Sequence, residues 1–186
     1  MRPPFPPAGG AAVDFSAVLL DLDGTITDSA PAIVASFSAT FADLGIAVPD
    51  HATLMGFVGP PLADTFAHYA GLTGPEGARA AALYRSHYRE LMYQAPVYEG
   101  VPALVRSLDD AGVPLALATS KRESLARQII DHTGLGPCFD AVAGAADDDR
   151  GGAKAVVIAR ALVLLSAAGA DTGRVVHVGD RSYDVD

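Results

Sequence analysis

Four short apolar runs, each followed by polar residues or glycine, recur along the chain. A run of this length, without alternation between apolar and polar positions, is typical of a strand buried on both faces of a parallel sheet. Helical patterns separate these runs. This alternation of strands and helices predicts an α/β fold with a Rossmann-like parallel sheet. The predicted strands are Ala17–Leu20, Val113–Ala118, Phe139–Ala143 and Arg174–Val178, and the predicted helices between them are Val101–Ala111, Glu123–Gly134 and Ala153–Ala168.

The interval between the first two apolar runs contains only helical patterns. They cover Ala32–Leu44, Pro61–Ala70 and Pro75–Met92. An insertion of this length is too long for a simple crossover and predicts a small second domain. We therefore expect a sheet core formed by residues 15–28 and 99–186, and a helical cap formed by residues 29–98. The opening residues 1–14 are rich in Pro and Gly and are expected to form a disordered tail.

Composition narrows the classes of partner. The formal net charge is −9, which argues against a nucleic-acid surface and requires that any anionic substrate meet locally placed positive charge. The longest apolar run, Ala155–Ala168, is too short to span a bilayer. Cys138 is the only cysteine, so an internal disulfide is impossible and a reducing cytoplasm fits. We expect a cytoplasmic monomer or homodimer without a nucleic-acid or membrane partner.

Two carboxylates one residue apart, Asp21 and Asp23, directly follow the first predicted strand. Like charges this close repel each other unless a cation or a proton is present. One carboxylate could serve as a nucleophile and the other as a proton donor, although Asp and Gly also form ordinary surface turns. The carboxyl ends of parallel strands share one edge of a sheet. The polar residues at the ends of later strands are Thr119, Ser120, Asp180 and Asp184.

Four segments of the chain, taken together and in order, resemble the motifs of the haloacid dehalogenase superfamily of phosphohydrolases. The helical insertion resembles the C1 cap of the phosphoglycolate phosphatase-like branch. Within that branch, the loop Gly56–Leu62 and the sequence ATSK at Ala118–Lys121 are similar to a 5′-nucleotidase-like subgroup. The four segments are VLLDLDGTITDS, LALATS, Lys154 and VVHVGDRSYD.

The resemblance implies a role for each matching residue. Asp21 would attack phosphorus and become an aspartyl-phosphate, and Asp23 would act first as general acid and then as general base. Thr119, Ser120 and Lys154 would bind the transferring phosphoryl group. The resemblance also implies a Mg²⁺ ion and a substrate-selecting cap loop. The implied metal residues are Asp21, Asp23 through its backbone carbonyl, Asp180 and Asp184, and the implied cap residues are Gly59 and Pro60.

The expected function is therefore Mg²⁺-dependent hydrolysis of a small phosphate monoester, such as a nucleoside 5′-monophosphate or phosphoglycolate. A dehalogenase needs neither Asp23 nor the GDxxxD string. A phosphonatase needs a cap lysine, and the segment Ser29–Tyr98 contains no lysine. A phosphomutase shares all four motifs and stays open, as does a weakly active or non-catalytic relative, although the intact motifs argue against the latter.

Two features depart from the family pattern. The loop Asp147–Gly152 differs from the subgroup's D-G-[ST]-R-x-x-K and is one residue longer between Arg150 and Lys154. The chain also stops at Asp186, whereas family members continue by a helix and a strand, on the order of 30 residues. We expect this form to lack the C-terminal edge of the core and to be less stable and less active than an extended form.

Overall fold

The computed structural model describes residues 15–148 and 150–181, and it contains a four-stranded sheet in which every pairing is parallel. The spatial order is β3-β2-β1-β4. The predicted α/β class is thereby confirmed. The predicted tail at residues 1–14 and the predicted site residue Asp184 lie outside the described residues. The strands are β1 (Ala17–Leu20), β2 (Leu115–Arg122), β3 (Ala141–Ala145) and β4 (Val175–Val178).

Seven α-helices accompany these strands in the described ranges. All six predicted helices start and end within two residues of their predicted limits. A seventh helix, His51–Met55, was not predicted, because five residues are too few to display a helical period. The helices are α1 (Ala30–Asp43), α2 (His51–Met55), α3 (Leu62–Ala70), α4 (Gly74–Leu91), α5 (Val101–Asp110), α6 (Glu123–His132) and α7 (Lys154–Ala167).

The limits predicted for β2 are wrong at both ends. The strand begins only at Leu115, since Pro114 has no N–H to donate to a ladder. It continues to Arg122 because pairing with β3 resumes there, at Ala145, after a register irregularity that follows Ala118. Thr119 and Ser120 therefore lie within the strand rather than beyond it.

The limits predicted for β3 are shifted by two residues. The amide of Phe139 closes a 3₁₀ turn by donating to Gly136 O, so the strand starts at Ala141 and ends at Ala145. The prediction for β4 is one residue too long at its start.

One face of the sheet packs against α7 through small side chains. Leu19 of β1 and Ala116 of β2 belong to the same buried cluster as Ala161 and Leu165 of α7. Alanines on both surfaces allow a close approach of helix and sheet, and each large aliphatic side chain buried here contributes about 1.5–3 kcal/mol. Since α7 begins at Lys154, the packing of this helix on the sheet also fixes the position of the Lys154 backbone.

The chain divides into two compact units. One comprises the described residues up to Thr27 together with those from Val97 onward, and the other comprises Asp28–Pro96. The second unit is helical and is centred on Phe37, whose ring centroid lies 5.0 Å from that of Phe57 and 5.5 Å from that of Phe66. The roles of these units as catalytic core and cap stay a prediction.

None of the helices in the described part of the chain is both long and apolar enough to cross a membrane.

Candidate active site

Asp21 occupies the first position after β1 and is almost completely buried. Its backbone amide donates to Val178 O at 2.9 Å, so the residue is fixed between β1 and β4. One carboxylate oxygen, Oδ1, accepts a hydrogen bond of 2.7 Å from the amide of Leu22. Burial raises the pKa of the Asp21 carboxyl above its ordinary value, while the charge of Lys154 acts in the opposite direction and Asp23 adds to the rise.

Lys154 provides the counter-charge to this buried carboxylate. Its Nζ lies 2.7 Å from Asp21 Oδ2 and donates to Ala118 O at 3.3 Å, and the side chain is only 4% exposed. The longer loop before it is closed by the Ala146 amide, which donates to Arg150 O at 2.9 Å. The altered loop thus leaves the lysine in contact with Asp21, where an ammonium can neutralise an anionic group.

Asp23 has a lysine partner of its own. Lys121 Nζ lies 3.0 Å from Asp23 Oδ2, and the two side chains are 10% and 19% exposed. The other oxygen, Asp23 Oδ1, is buried and has no hydrogen-bond partner among the described residues. The chain contains only two lysines, and each pairs with one carboxylate of the Asp21–Asp23 segment.

Thr119 is 1% exposed and lies in the part of β2 that follows its regular pairing with β1. Its hydroxyl oxygen accepts a hydrogen bond of 3.2 Å from the amide of Lys121, which leaves the O–H to act as a donor. Ser120, next along the strand, is half-buried. Thr119 follows Ala118, whose carbonyl accepts from Lys154, and lies two residues before Lys121. A buried hydroxyl donor at this position is suited to a phosphoryl oxygen.

Gly24 and Asp180 approach each other closely. Gly24 has φ +79°, and a Cβ at this position would overlap the carboxylate of Asp180. This contact brings the carboxylate that follows β4 against the loop that follows Asp23. The Asp180 carboxylate also pairs with Arg181 Nε at 3.2 Å.

The oxygen donors of this region suit a magnesium ion. Among the described residues, no group of three or more His, Cys, Asp or Glu side chains is arranged to hold a metal. Mg²⁺, however, is usually bound by one or two carboxylates together with water and substrate phosphate. Asp21 and Asp180 supply two carboxylates, and no soft sulfur or imidazole ligand competes with them in the contacts described above. The donor set therefore fits the ion.

The remaining predicted residues lie elsewhere. Gly59 and Pro60 are exposed, in the segment between α2 and α3 of the helical unit. Asp184 lies outside the described residues. Sequence reasoning missed Lys121: it gave this residue no role, although a cation two positions after a candidate phosphate-binding threonine was a usable signal.

Comparisons with known proteins identify the family. The family model described as haloacid dehalogenase-like hydrolase matches residues 18–186. Tyrosine-protein kinase PtkA of Mycobacterium tuberculosis is 41% identical over 170 residues, which is 91% of this chain and 57% of that protein. A 5′-nucleotidase of Pseudomonas aeruginosa is 34% identical over 176 residues, covering 94% of this chain and 78% of that protein.

A solved structure gives the same result. The crystal structure of a predicted phosphatase from Clostridium acetobutylicum superposes with a TM-score of 0.82 at 36% identity, covering 92% of this chain and 78% of that one. The chain belongs to the haloacid dehalogenase-like hydrolases, and the family predicted from its motifs is confirmed. It spans little more than half, 57%, of the length of its PtkA relatives.

Proposed function

We propose that this chain is a Mg²⁺-dependent phosphatase that hydrolyses a small phosphate monoester through an aspartyl-phosphate on Asp21. The observation that carries the proposal is the ion pair between buried Asp21 and Lys154. Two residues after Asp21, Asp23 supplies a second carboxylate, and its Oδ1 has no hydrogen-bond partner among the described residues. The named activities of the 5′-nucleotidase and of the predicted phosphatase support the same reaction class.

In the first step, a carboxylate oxygen of Asp21 forms a bond to phosphorus while the ester P–O bond breaks. Asp23 gives its proton to the departing oxygen, so the alcohol leaves neutral. Lys154 and the Thr119 hydroxyl donate to the phosphoryl oxygens, whose charge must be neutralised in the transition state. In the second step, Asp23 takes a proton from water, the water oxygen bonds to phosphorus, and the Asp21 carboxylate is released.

Asp21, Asp180, the backbone carbonyl of Asp23 and Asp184 are the proposed ligands of magnesium. The bound ion would supply positive charge that lets an anionic carboxylate approach an anionic phosphate. We propose nucleoside 5′-monophosphates and phosphoglycolate-type esters as the substrate classes, with Gly59 and Pro60 contributing to the choice between them.

A screen of phosphate esters with Mg²⁺ tests the proposal. We expect release of inorganic phosphate from at least one nucleoside monophosphate or small acid phosphate, and a loss of at least about a thousandfold in kcat for Asp21→Asn. Undiminished turnover in Asp21→Asn would remove the aspartyl-phosphate from the mechanism. Full turnover in the presence of EDTA would exclude a metal ion from the mechanism. Conversion of a sugar phosphate to its isomer, without phosphate release, would favour the phosphomutase.

A second candidate is transfer of a phosphoryl group to a protein tyrosine. It is favoured by the 41% identity to a relative named as a tyrosine-protein kinase. Incubation with γ-labelled ATP and a tyrosine-containing protein distinguishes the two. Label transferred to tyrosine supports the kinase, whereas unlabelled tyrosine together with phosphate release from a monoester in the screen supports the phosphatase.

A further inference from the structure

Lys121 is the second of the chain's two lysines, and its backbone is held firmly in place. Its amide donates to the Thr119 hydroxyl at 3.2 Å, and the next residue, Arg122, pairs with Ala145 of β3. β3 also approaches closely: a Cβ on Gly144 would lie 2.7 Å from Lys121 O. Only a glycine at position 144 permits this approach, so the end of β2 has little freedom to shift.

An ionic cluster holds Glu123, two residues after Lys121. Glu123, at the start of α6, lies 2.8 Å from Arg127 and 2.8 Å from Arg160, and Arg160 also donates to Gly144 O at 3.1 Å. These contacts join α6, α7 and β3 immediately after Lys121. The ammonium of Lys121 is therefore carried by a rigid backbone, as a residue that orients another side chain must be.

The contacts of Asp23 are asymmetric. Oδ2 is paired with Lys121, whereas Oδ1 is buried and lacks a partner among the described residues. A buried polar oxygen without a partner is costly, and such atoms are concentrated where function needs them. The lysine occupies one oxygen and thereby determines which oxygen is left for another molecule.

We propose that Lys121 is the positioning residue of Asp23: by holding Oδ2, it presents Oδ1 as the oxygen that gives and takes the proton. This inference rests on the proposed function. As the ester P–O bond breaks, the proton on Oδ1 passes to the departing oxygen; in the second step Oδ1 receives a proton from the attacking water. The two lysines then have different roles, since Lys154 pairs with the nucleophile Asp21 and Lys121 orients the proton-transfer group Asp23.

Two substrates with different leaving groups test this division. p-Nitrophenyl phosphate expels a stable phenolate and needs little proton transfer, whereas an alkyl phosphate such as β-glycerophosphate needs a proton on its departing oxygen. kcat/KM covers the steps up to formation of the phosphoenzyme. For Lys121→Met we expect kcat/KM to fall about a hundredfold with the alkyl ester and less than about tenfold with the nitrophenyl ester. Lys121→Arg should restore part of the loss.

A double variant shows whether the loss of activity in Lys121→Met is transmitted through Asp23. If Lys121 acts through Asp23, then Lys121→Met has little further effect on the alkyl ester once Asp23→Asn is present. Arg106→Met, which removes an exposed cation on α5, is the matched control and should leave both rates within about twofold. Circular dichroism and melting curves check that each variant is folded.

The outcomes separate the two proposals. Equal losses with both esters, or full additivity with Asp23→Asn, would overturn the positioning role and assign Lys121 to the phosphoryl group or to folding. A wild-type protein that releases phosphate from no ester of the screen, these two included, would overturn the proposed function and this inference with it. Unequal losses that vanish in the Asp23→Asn background are the result that supports it.

Discussion

Lys154 Nζ lies 2.7 Å from Asp21 Oδ2, and the two side chains are 4% and 9% exposed. Removal of one member of a buried ion pair leaves an uncompensated charge, which typically costs about 3–5 kcal/mol. We therefore expect Lys154→Met to lower the free energy of unfolding by this amount and to reduce kcat/KM by about a hundredfold or more. Urea unfolding and steady-state kinetics measure the two effects.

The double variant Asp21→Asn/Lys154→Met separates stability from activity. It removes both charges, so we expect it to recover most of the lost stability while it stays inactive. A double variant that is no more stable than Lys154→Met would contradict the assignment of the loss to an unpaired charge.

The raised pKa of Asp21 predicts a pH dependence of stability. Because the folded protein binds this proton more tightly than the unfolded chain, the contribution of Asp21 is fully present below its ordinary pKa of 3.8 and is lost as the pH rises through the higher folded value. The wild type should therefore gain stability relative to Asp21→Asn as the pH falls from neutral. Urea unfolding of both proteins at several pH values, without added divalent metal, measures this. A difference that does not change with pH would contradict the shift.

Gly24→Ala should impair the site beyond its effect on the backbone. A left-handed residue with a Cβ costs about 1–2 kcal/mol, and here the Cβ would also displace the Asp180 carboxylate. We expect magnesium-dependent turnover to fall about 10- to 100-fold, with a higher magnesium requirement. Gly100→Ala is the matched control, because Gly100 has φ +82° with nothing within 4 Å of its Cβ. If both variants lose equal activity, strain alone explains the loss.

The hydroxyl of Thr119 can be removed with little change of shape. Thr119→Val deletes the donor, and we expect kcat/KM to fall about a hundredfold, whereas Thr119→Ser keeps the hydroxyl and most of the activity. The Lys121 amide also loses its acceptor, which costs about 1 kcal/mol of stability. Phosphate-release assays and melting curves measure the two effects. A Thr119→Val protein with wild-type rates would exclude Thr119 from phosphoryl binding.

Much of the fold could be predicted because its strands are continuous apolar runs. Because Leu19 and Leu20 belong to a buried strand, Asp21 is predicted to lie at the end of that strand. The order of the motifs along the chain then predicts that Thr119, Lys154 and Asp180 belong to the same unit, as they do. The extension of β2 to Arg122 could not be predicted, because it depends on an irregular pairing with β3 that leaves no local trace in the sequence.

The partners of the two lysines also differ in how well the sequence predicts them. Lys154 could be predicted to lie near Asp21 from motif order, and it lies there despite its altered loop. The pairing of Lys121 with Asp23 depends on side-chain direction at the irregular end of β2, which neither hydrophobic periodicity nor residue spacing encodes. The short helix α2 escaped prediction for a simpler reason, since a single turn and a half shows no repeat.

Both lysines are paired with carboxylates of the Asp21–Asp23 segment, and this pairing limits the covalent modification of the chain. Every ε-amino group of this chain is paired and at most 10% exposed, so the outer surface offers no lysine for labels, cross-linkers or acyl donors. Acetylation neutralises an ammonium. Any lysine acetylation of this protein therefore removes a charge beside one of the two carboxylates. We expect a single acyl group at Lys121 or Lys154 to inhibit the proposed reaction rather than to act as a surface mark.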